Sequence, residues 1–228
     1  IPKIVSFEGY EYLAKQSTLI IRALGVSLFV TIVGTVLGIL LTTLMGYVLS
    51  RPGYKLNGFL TMVVFIPMVF NGGLVSTYFI VSQFLGLKDS VWALILPLSV
   101  SSFNVIVCRT FFKTTIPESL VESAKMDGAS QLVIFSRIVL PISKPCLTTI
   151  IILCFTGTWN SYFVPATFLT DEKLFPIVVG LNTVKAKYFA RPNLSLAGVI
   201  LLTLPVLVIY IIFQKWFIQG VASSGIKE

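Results

Sequence analysis

Five stretches of this chain carry no Asp, Glu, Lys or Arg: residues 23–50, 56–87, 90–108, 145–170 and 192–214. Each is close to or beyond the roughly 20 residues a helix needs to cross a hydrocarbon layer about 30 Å thick. Inside a bilayer the backbone must satisfy its own hydrogen bonds, so such runs are helices unless they close as a barrel. A barrel would alternate in polarity; Ile150-Ile151-Ile152-Leu153 and Val199-Ile200-Leu201-Leu202 do not. Composition agrees: 56% of the 228 residues are apolar and only 11% charged, against roughly 25% charged in a soluble domain. The sequence therefore predicts an all-α integral membrane protein. Its whole length, 1–228, is read as one polytopic domain with five spans, at about 20–49, 56–86, 90–110, 145–169 and 194–216.

The second span is the least simple. Pro67 removes a helical donor and Asn71-Gly72-Gly73 breaks the pattern, so we expect a crossing over about 56–73 and a shorter interfacial or re-entrant segment over 74–86. One long kinked helix is the alternative.

Charge excludes some classes and leaves orientation open. With these spans, nine Lys and Arg fall on one side and eight on the other, which decides nothing by the positive-inside rule. The net charge of +8 is scattered through loops, so it reads as contact with lipid headgroups rather than a nucleic-acid surface. The chain has no His, which removes imidazole metal sites and His-based catalysis. Cys108, Cys146 and Cys154 all fall in apolar stretches and read as small apolar fillers rather than a disulfide framework. Residues 1–17 read as a polar loop, with neither an initiator Met nor the pattern of a signal peptide.

Residues 115–141 differ from everything around them. Thr115-Ile116-Pro117-Glu118 has the capping-box pattern, and Leu120, Val121 and Ala124 share a face opposite Glu118, Glu122 and Lys125. Gly128 is a natural stop, and a second helix is expected from about Ser130 to Pro141. A short amphipathic helix between spans can simply lie in the headgroup layer. Here its spacing is more specific: Glu122-Ser123-Ala124, then Gly128, then Ile138-Val139-Leu140-Pro141. This resembles the EAA signature of ABC-importer permeases, with Ser123 in place of the usual Ala. Trp159-Asn160, the run from Leu174 to Leu181 and the tail Gln214–Gly220 are similar to the carbohydrate-uptake branch, related to the smaller membrane subunit of the maltose importer. Because members of that branch typically have six spans, the resemblance implies that the first of them is missing from this sequence.

The resemblance implies a cytoplasmic loop that couples to an ATPase through Glu122, Ser123, Ala124, Asp127, Gly128, Ile138, Leu140 and Pro141. It implies a second homologous permease subunit, two ATP-binding subunits, a soluble sugar-binding protein outside, and residence in a bacterial or archaeal cytoplasmic membrane. The chain has no phosphate-loop motif, so it is expected to be no enzyme and to hold no cofactor, with ATP and magnesium at the partner subunits. Polar groups inside spans face a pathway or another helix. Thr158, Trp159, Asn160 and Tyr162 cluster in the fourth span, and aromatic faces beside amides and hydroxyls suit a sugar. The same residues also suit helix packing and interfacial anchoring. Asn71 and Asn104 are further pathway candidates that equally read as satisfying a helix break or a neighbouring span. An ATP-independent channel or secondary transporter is the rival reading; it predicts ionisable residues within the spans, and the five windows contain none.

Overall fold

The computed structural model describes residue 11 and residues 17–53, 55–187 and 192–225. Most of the expected N-terminal loop lies outside them, and so do the side chains of the tail after Gln214. Among the described residues every regular element is a helix, the fold class the sequence predicts. α1 spans Ser17–Ser50. Its 34 residues are about 50 Å long at 1.5 Å per residue, well beyond a hydrocarbon core of about 30 Å. α2 (Asn57–Val69) and α3 (Gly73–Phe84, its last turn π-helical) follow. The chain breaks between them, and Gly73 takes φ +76° there.

Next come α4 (Trp92–Ser99), α5 (Ser102–Thr115), α6 (Glu118–Met126), α7 (Gln131–Ile142) and α8 (Lys144–Trp159). α9 (Phe163–Phe168), a 3-10 turn at Glu172–Leu174, α10 (Ile177–Lys187) and α11 (Pro192–Gly225) complete the order. By length and apolarity α1 can cross a membrane alone. α4 with α5, bent by 41°, and α7 with α8, bent by 84°, do so only as pairs. Large apolar side chains such as Ile21, Ile32, Val36, Phe59, Met62 and Ile66 stand exposed, the arrangement expected where the solvent is lipid.

The chain divides into two compact units. One draws on residues 1–34, 73–97 and 155–212. Its core holds Ile20, Ala23, Phe155, Trp159, Ile177 and Ala197. The first free N–H of α10, that of Ile177, donates to Ser27 Oγ at 2.7 Å, meeting a need every helix start has. In the same unit Asp89, at φ +56°, accepts from the backbone N–H groups of Thr170 and Asp171 and donates its own to the Phe168 carbonyl.

The other unit draws on 35–72, 98–154 and 213–228. Tyr47, Cys108, Phe112, Ile116, Val121, Ala124, Ile134, Phe135, Val139, Cys146, Ile150 and Cys154 form its core. Close approach of α1 to α5 depends on Gly46, where a Cβ would lie 2.7 Å from Cys108 Cβ; small residues permit such packing between membrane helices. All three cysteines are free and buried. Cys108 and Cys146 face each other at 3.7 Å.

Candidate functional site

The stretch from 115 to 142 is built on two breaks. The residue before a proline is driven out of the helical region, and Ile116 is extended at φ −106°, ψ 105°. The expected capping box therefore does not form. Thr115 is the last residue of α5, and Pro117 occupies the cap of α6 with no side-chain bond to it. The second break is at Gly128, with φ +78°. Its N–H reaches the Lys125 carbonyl and that of Ala129 the Ala124 carbonyl, both at 3.0 Å, which is a Schellman stop. A Cβ on Gly128 would meet nothing, so within this chain glycine serves the backbone angle rather than close packing. Ser130 then caps α7 by accepting from the Val133 N–H. A π turn over Phe135–Val139 leads to Leu140 and Pro141, and α8 departs at 84°.

α6 holds to the bundle by one face. Val121 and Ala124 are buried in the unit's core, while Glu122, Ser123, Lys125, Met126 and Asp127 stand exposed. Ser123 spends its hydroxyl on the Ser119 carbonyl at 2.8 Å, so the small residue that permits packing here is Ala124. Ile138 and Leu140 pack against the same core, and Pro141 is exposed.

Beside α6 lies a cavity of about 640 Å³. α6 contributes Glu118, Val121, Glu122 and Lys125 to it; the end of α1 contributes Tyr47, the turn just after it Arg51, and α7 contributes Gln131. Tyr47 is fixed on both sides. Its hydroxyl donates to Gln131 Oε1 at 3.0 Å, and its ring meets that of Phe135 at 5.2 Å. Arg51 Cζ sits 5.0 Å from the centre of the Tyr47 ring, within cation–π range. Sequence reasoning missed Tyr47 and Arg51. The partner of Tyr47, Gln131, lies 84 residues on, and no local pattern announces a pairing of that length.

The polar cluster of the fourth predicted span is split by α8. Trp159 is 2% exposed, stacks on Phe155 at 5.9 Å, and donates its Nε1–H to the Leu202 carbonyl at 3.0 Å. Thr158 is buried beside Gly34. Asn160 and Tyr162 lie on the exposed side, where α8 ends and α9 has yet to begin. Asn104 is buried with its amide toward Cys154 Sγ at 3.5 Å, and Asn71 is exposed at the break between α2 and α3. Among the described residues no group of His, Cys, Asp or Glu is arranged to hold a metal ion.

Helices throughout the described residues, an apolar surface and a packed loop helix are the architecture of a helical membrane protein. The chain belongs to the family of binding-protein-dependent transport system inner membrane components, whose pattern matches residues 34–223. It is thus the membrane-embedded component of an ABC importer, acting with other components of the transporter. It is 36% identical to the polygalacturonan/rhamnogalacturonan transport permease YtcP of Bacillus subtilis, over 100% of this chain and 84% of that one. It is 34% identical to LplC of the same organism, over 99% and 80%. The structure superposes with a TM-score of 0.84, at 26% identity, on a chain of a bacterial ABC transporter that imports the acidic polysaccharide alginate. That match covers 95% of this chain and 81% of the other.

Proposed function

We propose that this chain forms half of the translocation pathway of an ATP-driven importer of sugars or oligosaccharides. Its partners are a second homologous permease subunit, two ATP-binding subunits on the cytoplasmic side and a sugar-binding protein outside. ATP and magnesium belong to the ATP-binding subunits, and this chain hydrolyses nothing. It lies in the cytoplasmic membrane as a multi-pass protein with the 115–141 loop inside. The cargo class is supported by relatives named for polygalacturonan/rhamnogalacturonan, arabinooligosaccharide and galactooligosaccharide transport.

One observation carries the coupling role. α6 is clamped to the bundle through Val121 and Ala124 while Glu122, Ser123 and Met126 face outward. A helix bound on one side and free on the other passes a push from a docked partner into the elements it packs on. Glu122 offers that partner a carboxylate, and Gly128 sets the angle at which the chain leaves. Asn160 and Tyr162 are the members of the polar cluster best placed for substrate, with Trp159 and Thr158 packed behind them. A bifunctional thiol reagent should join Ser123→Cys to an ATP-binding subunit in native membranes. Glu122→Arg should separate ATP hydrolysis from uptake in reconstituted vesicles. No crosslink, together with full coupling in the variant, removes this reading.

A further inference from the structure

The guanidinium of Arg51 is held in place yet unmatched. Its backbone is tied at both ends: the N–H donates to the Val48 carbonyl at 3.3 Å, and its carbonyl accepts from Asn57 Nδ2 at 2.7 Å. The Tyr47 ring supports its flat face. Nevertheless Nε and Nη2 are both buried, with no acceptor among the described residues. These two nitrogens form one edge of the guanidinium, the edge whose parallel N–H bonds fit the two oxygens of a carboxylate. Leaving charged donors buried and unmatched is costly, so the edge marks a position that an acceptor occupies in another state of the protein.

Two carboxylates line the same cavity, Glu118 and Glu122, one helical turn apart on α6. Arg51 and Lys125 balance them. A cavity whose own charges already cancel gains little from an outside anion, so the acceptor comes from within. We infer that Arg51 is a positioning residue that receives the Glu118 carboxylate when α6 shifts toward the end of α1, latching the two helices together. The assignment to Glu118 rests on the function proposed above, which commits Glu122 to the ATP-binding subunit. The latch gives the loop a second grip on the bundle, present in one state of the cycle and open in the one described here.

The test uses the whole transporter in vesicles and reads transport per ATP hydrolysed. Arg51→Gln and Glu118→Gln should each lower that ratio about fivefold, the scale of one partly shielded ion pair, and the double variant should be no worse than either. Arg51→Glu combined with Glu118→Arg should recover most of the ratio, which a purely structural role would not allow. Additive losses in the double variant, or no recovery on exchanging the charges, overturn the latch. Non-additivity with Glu122→Gln in place of Glu118→Gln overturns it as well. Should Arg51 variants fail to assemble, Glu118→Gln alone decides, since Glu118 is exposed and outside the core; an unchanged ratio then sinks the proposal. The Ser123→Cys crosslink separates the two failures: if it forms while the ratio is unmoved, only the latch is lost.

Discussion

The loop over 115–142 and the polar cluster over 156–162 both stand out in the sequence, yet they resolve in opposite ways. In the loop, polar and apolar residues part by helical face: Val121 and Ala124 go in, Glu122 and Lys125 stay out. Around Trp159 the most conspicuous side chain goes in, with its only polar atom bonded to Leu202, while Asn160 stays out. On the placement proposed above, with the loop in the cytoplasm, the difference is one of solvent. Next to water, exposing a charge costs nothing, so periodicity reveals the buried face. Within a membrane, a polar group pointing into the bundle and one lining a pathway are both protected from lipid, and they look alike in the sequence.

Three measurements would break or sharpen that contrast. The largest effect is expected from Trp159→Ala, which empties a packed position and removes the Nε1–H bond to the Leu202 carbonyl. We expect a loss of about 3–5 kcal/mol, seen as a clear drop in the melting temperature of the detergent-solubilised protein. Unchanged melting with altered sugar selectivity would instead put the ring on the pathway and erase the contrast.

Gly128→Val should cost less, about 1–2 kcal/mol, because a side chain must be forced to φ +78° while its Cβ meets nothing. Gly128→Asn, which tolerates that angle, should fall near the parent. Hydrogen exchange over 118–130 checks both. Equal protection in all three proteins would mean that the Schellman stop does not hold the loop.

The smallest effect belongs to Asp89, a fully exposed carboxylate where water competes for every bond. The Thr170 N–H, with that of Asp171, holds its carboxyl below the usual carboxylate range. A depressed value in the folded state means the contribution is present above the unfolded value, about pH 4, and fades as pH falls through the folded one. Proteolysis of the 168–174 segment should therefore rise slightly below about pH 4, and Asp89→Asn should flatten that dependence. A pH-independent parent would show that the clamp rests on geometry alone.

How much was legible follows the same physics. The absence of charge from long windows gave away the helices, because lipid leaves the backbone no alternative. The Gly128 stop and two of the three residues expected on the buried face of α6, Val121 and Ala124, were readable from local chemistry, whereas Leu120 stands exposed. The cap of α6 falls two residues later than the pattern suggests, at Pro117 rather than Thr115, since a capping box at Thr115 competes with continuation of α5 and loses. Tyr47 and the tight seat at Gly46 carry no local mark; each acquires its meaning from a residue far along the chain, Gln131 and Cys108.

The near right angle between α7 and α8 gives the protein a bell crank. Thrust delivered along the axis of α7 cannot slide α8 lengthwise; it swings the near end of α8 sideways, as a pivoted arm turns a pull into a tilt. With Pro141 and Pro145 on either side of that corner, neither arm has an unbroken hydrogen-bonded ladder through which to straighten, so the angle itself is the part that must survive any redesign.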